Sequence, residues 1–166
     1  SLLQRGQIDL GFIGGAEVDR FGNLNTLWVL EKGRRVRVPG SGGAADIATL
    51  AGRCIIIMNH ERRRFTPRVH FVTSPGYGEG GDWRARNHLP GGGPYRVITS
   101  LGIFSFDETS RQMVLSSRHP GVTVEEIQRE TGWPLRISED LEETTSPSPE
   151  ELAVVRKYDP KRVWTS

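Results

Sequence analysis

Cysteine is nearly missing from this sequence: Cys54 is the single one among 166 residues, so no disulfide can form within the chain. A lone cysteine inside an apolar run fits a buried, inert thiol and a reducing compartment, and the expected location is cytoplasmic. Long hydrophobic runs are wanting too. The longest, Cys54 to Met58, has five residues, against the roughly 20 that a membrane-crossing helix needs. Nor does charge of one sign dominate: 22 basic residues against 20 acidic ones leave a net charge of +2. That excess suits an anionic ligand and is too small to argue for nucleic acid. His60-Glu61 lacks the second histidine of a zinc motif, and Cys54 has no partner at ligand spacing, so no metal site is expected. What remains is 36% hydrophobic, enough to bury the core of one domain over 1–166.

Short apolar, turn-bounded runs predict strands over Ile8–Ile13, Leu24–Leu30, Arg53–Asn59, Val69–Thr73 and Tyr95–Leu101. Ile103–Phe106 and Gln112–Leu115 predict a hairpin. Ala44–Leu50, between Gly42-Gly43 and Gly52, predicts a short helix. Thr123 with Glu126 forms a capping-box pattern for a helix ending at Gly132, and Ser148-Pro149-Glu150-Glu151 opens a last helix by the same chemistry. Glu139 to Pro149 reads as a surface connection. Leu2-Leu3-Gln4-Arg5-Gly6 reads as a helix end with its glycine, so an N-terminally truncated domain is expected. Alternating strands and helices give the fold class: α/β, an open, mostly parallel sheet with flanking helices, in which ligands bind beyond the carboxyl ends of the strands.

Three stretches carry chemistry. Pro39-Gly40-Ser41-Gly42-Gly43-Ala44-Ala45-Asp46 places small residues at a helix start, where bare backbone N–H groups suit an oxyanion or a phosphate; a tight strand-to-helix turn is the plainer reading. No Walker lysine follows. Gly76-Tyr77-Gly78-Glu79-Gly80-Gly81 satisfies a dinucleotide-binding pattern, but Asp82 to Pro90 has no apolar helical period. A mobile flap over a site, around Gly76, Tyr77 and Gly78, or a surface loop fits better. Glu61-Arg62-Arg63-Arg64 clusters three arginines after a central strand, for solvent, a partner subunit or a phosphate.

Taken in order, Gly14 to Thr26 (GGAEVDRFGNLNT), Pro39 to Asp46, Phe71 to Tyr77, Gly92-Gly93-Pro94, Val97-Ile98-Thr99, His119 to Glu126 and Pro149 to Leu152 resemble class I CoA-transferases, specifically the B-type subunit of the glutaconate and 3-oxoacid types. The resemblance implies a fold of the CoA-transferase type and a hetero-oligomer with an A-type subunit. It implies ping-pong transfer of CoA between an acyl-CoA and a dicarboxylic or 3-oxo acid, with no bound cofactor and coenzyme A as co-substrate. In such enzymes a glutamate attacks the thioester and becomes a glutamyl-CoA; the resemblance places that glutamate upstream of the segment present here. Gly42 and Gly43 take the oxyanion role by this likeness, with Gly40, Ser41 and Ala44 shaping the loop and the CoA pocket. Glu31-Lys32-Gly33 and Glu79-Gly80-Gly81 are assigned to the surface. Glu17 stands where such enzymes commonly carry glutamine; buried, it suits an acid or base, and otherwise a loop carboxylate paired with Arg20 or another arginine. A ring-opening CoA-thioester hydrolase subunit and a non-catalytic assembly subunit are the alternatives.

Overall fold

The computed structural model describes residues 1–163; the last three residues of the expected domain lie outside these. In chain order the elements are β1 (Leu10–Ile13), β2 (Glu17–Val18), β3 (Leu24–Asn25), β4 (Trp28–Glu31), β5 (Arg34–Arg37), α1 (Ala44–Leu50) and β6 (Arg53–Met58). Then come α2 (Trp83–Arg86), β7 (Pro94–Thr99), β8 (Gly102–Phe106), β9 (Met113–Arg118), α3 (Val124–Arg129), β10 (Arg136–Glu143) and α4 (Pro149–Tyr158). Six strands make one sheet in the order β1-β6-β7-β8-β9-β10. β1, β6 and β7 run parallel, β8 turns back through the expected hairpin with β9, and β10 lies parallel to β9. Two ribbons, β2-β3 and β4-β5, stand apart from it.

β6 explains why this sheet forms. Its isoleucine run favours extended backbone, and alternation sends Cys54, Ile56 and Met58 into the core while Ile57 stays 51% exposed. Ile56 pairs with Ile13 on one side and Val97 on the other, and Phe104 continues the same buried row. α1 closes over β1 where Gly11 leaves room: a Cβ there would come within 2.3 Å of Ile47 Cγ2. Burial pushes the Cys54 thiol up to about 11, in keeping with an unreactive core thiol.

Several expectations need correction. The Leu24–Leu30 strand is broken in two, because Asn25 Oδ1 accepts from Leu27 N (3.0 Å) and its amide donates to Trp28 O (2.7 Å), turning the chain locally. Val69–Thr73 forms no strand; only Ser74 makes a bridge, to Leu24. The helix after Thr123 stops at Arg129, and only half of its capping box forms among the described residues, Thr123 Oγ1 accepting from Glu126 N at 3.1 Å. Ser148 and Glu151 complete theirs. Glu139 to Glu143 belong to β10 rather than to a surface connection, and the exposed acidic side chains of that strand guard a sheet edge. At the amino end, where the sequence suggests a helix end, Leu2 to Gly6 form a turn and no helix; Gln7 N donates to Leu2 O and Gly6 N to Leu3 O with Gly6 at φ 66°.

His60 lies in the core, its ring stacked 3.8 Å from that of Phe65 and its nitrogens 3.2 and 3.0 Å from the hydroxyls of Thr99 and Thr131. Burial pulls its pKa down to about 4 from an ordinary 6.5. The neutral ring's contribution is therefore complete above pH 6.5 and is lost as pH falls through 4. Unfolding free energy should drop by ~3 kcal/mol across that window from this group, and His60→Gln should flatten that part of a denaturant-midpoint profile.

Candidate functional site

The carboxyl ends of β1, β6 and β7 open onto a cavity of about 550 Å³ lined by Gly14, Gly15, Met58, Asn59, Arg64 and Thr99 among others. Two further cavities adjoin it through shared residues. One of about 330 Å³ adds Thr26, Val38, Pro39 and Gly40 of the glycine loop. The other, about 360 Å³, adds Glu17, Glu31, Thr66 and His70. A fourth, beside Asp19, Arg20, Gly78, Glu79 and Trp83, shares no lining residue with these three.

Within the glycine loop the backbone donors divide. Gly40 N donates to Thr26 O and Ala44 N to Ser41 O, each at 2.8 Å, and both amides are thereby spent on holding the turn. Among the described residues, the N–H groups of Ser41, Gly42 and Gly43 have no acceptor. Gly40 at φ 99° and Gly42 at φ 50° occupy the left-handed region that side chains resist, so the turn depends on glycine at both. Gly40 lines the cavity of about 330 Å³, whereas Ser41, Gly42 and Gly43 line none of the four; Gly42 and Gly43 are exposed, so the three adjacent donors face open space beyond that cavity's Gly40 wall.

Glu17 is 2% exposed. Its carboxylate accepts from Asn25 Nδ2 (2.7 Å) and His70 N (3.1 Å) and lies 2.6 Å from His70 Nδ1. The partner is thus a histidine rather than an arginine, and both carboxylate oxygens are engaged. His70, which the sequence hides inside an expected strand, is held by Glu17 with its ring 5.6 Å from Trp28, and Glu17 and His70 line one cavity together. Glu17→Gln can keep its amide oxygen toward Asn25 Nδ2 and His70 N but then turns its NH2 toward His70 Nδ1, losing one acceptor at a cost of about 1 kcal/mol; a denaturant midpoint lowered to match is the expected result.

Gly76, Tyr77 and Gly78, expected as a mobile flap, are tied into the body. Asn23 Oδ1 accepts from Gly76 N (2.9 Å) and Gly78 N (3.1 Å), and Asn23 is itself held by Asp19. Tyr77 is buried and its hydroxyl donates to Pro94 O at 2.9 Å. Glu31 sits 3.7 Å from Arg63 on the exposed β4-β5 ribbon, and Glu79 lines the separate fourth cavity.

A sequence profile described as Coenzyme A transferase matches residues 1–130. The chain belongs to the coenzyme A transferase family. Within it, the chain is 44% identical over 158 residues to the B-type subunit of the 3-oxoadipate CoA-transferase of Pseudomonas knackmussii, covering 95% of this chain and 61% of that protein. To the B-type subunit of the glutaconate CoA-transferase of Acidaminococcus fermentans it is 39% identical, with 93% and 59% covered. The crystal structure of glutaconate coenzyme A-transferase from the same organism superposes with a TM-score of 0.86 at 37% identity, over 95% of this chain and 61% of that one. The chain thus spans about three fifths of the length of these relatives. Family and α/β fold agree with the resemblance read from the motifs, and among the described residues no helix is long and apolar enough to cross a membrane.

Proposed function

We propose that this chain supplies the oxyanion loop and part of the CoA pocket of a CoA-transferase B-type subunit, which moves CoA between an acyl-CoA and a dicarboxylic or 3-oxo acid. The reading is supported by the three unpaired amides of Ser41, Gly42 and Gly43, which follow directly on Gly40, itself a lining residue of a cavity, in a chain of this family. A glutamate carboxylate from outside this segment attacks the thioester carbon. The carbonyl oxygen gains negative charge, which N–H groups fixed in advance stabilise without reorganising. Collapse expels CoA thiolate and leaves an acyl-glutamyl anhydride; the thiolate then attacks the glutamyl carbon, releasing the first acid and leaving glutamyl-CoA. A second acid carboxylate reverses the sequence. The same amides serve each tetrahedral stage, because each develops its charge on a carbonyl oxygen. CoA is co-substrate throughout.

An A-type subunit completes the site in this proposal. Phe12 at 59% and Ile57 at 51% exposure leave apolar sheet surface uncovered, which supports burial in a larger assembly. The test is to co-purify the protein with its partner, supply an acyl-CoA with and without an isotopically labelled acid, and follow the label by mass. CoA appearing on the labelled acid with ping-pong kinetics supports transfer. Turnover indifferent to the acid indicates a ring-opening hydrolase instead, and turnover indifferent to changes in the glycine loop indicates an assembly role.

A further inference from the structure

The cluster Arg62-Arg63-Arg64 resolves into three different fates. Arg62 Nη1 donates at 3.0 Å to the carbonyls of Arg129 and Thr131, closing the end of α3. Arg63 is spent on the surface, its Nε 2.6 Å from Glu61 and Nη1 3.7 Å from Glu31. Arg64 differs. Its Nε donates to Glu61 Oε1 at 3.1 Å, which fixes the guanidinium plane, and among the described residues neither terminal nitrogen has an acceptor. Its backbone is pinned as well, the carbonyl accepting from Val18 N at 2.8 Å. Arg64 lines all three adjoining cavities, and Gly40 lines one of them with it. Its side chain is 29% exposed, so a bond made there is partly shielded from water.

We infer that Arg64 is a specificity-determining residue that receives the carboxylate of a dicarboxylic substrate remote from the reacting end, an assignment that rests on the transferase reading. With Nε occupied, the guanidinium offers its Nη1–Nη2 edge, a planar pair of donors that matches the two oxygens of a carboxylate. CoA also carries anions, but its phosphates are separated from the thioester by the whole pantetheine arm. A cation adjoining the loop that holds the thioester oxygen is placed for the acyl group. The cavity between Arg64 and Gly40 therefore selects acids with charge at both ends.

The test uses the assembled enzyme with two five-carbon acceptors, glutarate and pentanoate, in wild type, Arg64→Gln and Arg64→Lys. Arg64→Gln should lower kcat/KM for glutarate by about 10- to 150-fold, as loss of a charge-assisted bond implies, and leave pentanoate unchanged. Arg64→Lys, which keeps the charge without the paired donors, should fall between. Equal losses on both acceptors, or a rise only in KM for the acyl-CoA, would overturn the assignment. Should wild type move CoA to neither acid, the transferase reading is what fails, and calorimetric binding of glutarate then judges Arg64: tighter binding to wild type than to Arg64→Gln supports it, equal binding overturns it.

Discussion

Gly43→Pro in the assembled enzyme is expected to lower kcat by about 100- to 1000-fold while leaving KM for the acyl-CoA nearly unchanged. The substitution removes one N–H from the three that stand unpaired, and its ring adds a restriction on the preceding Gly42. Gly43 has φ −84°, within reach of the proline ring, and a Cβ there meets nothing within 4 Å. Gly43→Ala is the matched control, because it adds the same first carbon and keeps the amide. Near-normal turnover in the alanine variant beside a large loss in the proline variant would locate the effect in the donor. Equal losses in both would mean that shape matters and the amide does not. At Gly42 the comparison is less clean, since φ 50° makes any side chain strained there.

The second large effect is on stability. Arg84 is only 8% exposed, and its guanidinium donates to the backbone carbonyls of Gly91 (2.9 Å), Gly76 (2.9 Å), Ala48 (3.1 Å) and, more distantly, Pro75 (3.5 Å). One side chain thereby joins α1, the turn at Gly76 and the strand entry at Gly91. Arg84→Met would strand those buried acceptors and cost on the order of 4 kcal/mol or more. For a chain of this size the expected drop in Tm is roughly 8–16 °C. Arg84→Lys should recover little, because an ammonium cannot reach several separated carbonyls at once. A Tm within a degree or two of wild type in the methionine variant would refute the role.

Arg84 is invisible to pattern reading for a physical reason. Asp82 to Pro90 has no apolar period and sits among glycines, which marks a loop; the sequence does not say that it folds into the short helix α2 and buries Arg84. The clue is the glycine content itself: a glycine-rich turn packed close to the body exposes carbonyls that need donors, and an arginine nearby can supply several. His70 is hidden differently. Apolar Val69, Phe71 and Val72 suggest a strand, yet no sheet edge reaches them, and the segment serves instead to present His70 to Glu17. The full extent of β10 escapes pattern reading because its pairing is made by backbone, while its side chains are charged and mostly exposed. In contrast β6 and the β8-β9 hairpin are legible, since β-branched runs and strict alternation act on the same residues that the core buries.

The same contrast holds in the glycine loop. Small residues before a helix announce a tight turn, but nothing in their spelling distinguishes a spent amide from a free one. The folded chain makes that division, consuming Gly40 and Ala44 in the turn and sparing Ser41, Gly42 and Gly43. Transfer chemistry requires such sparing, because an amide already bonded to a carbonyl would have to break that bond to meet the charged oxygen.

The most direct measurement is the infrared carbonyl stretch of a 13C-labelled thioester bound to the assembled enzyme. If N–H groups at Ser41 to Gly43 grip that oxygen, the band lies below its frequency in water for wild type and Gly43→Ala and returns upward in Gly43→Pro. A band at the aqueous position in wild type, or one indifferent to the proline, would contradict the assignment.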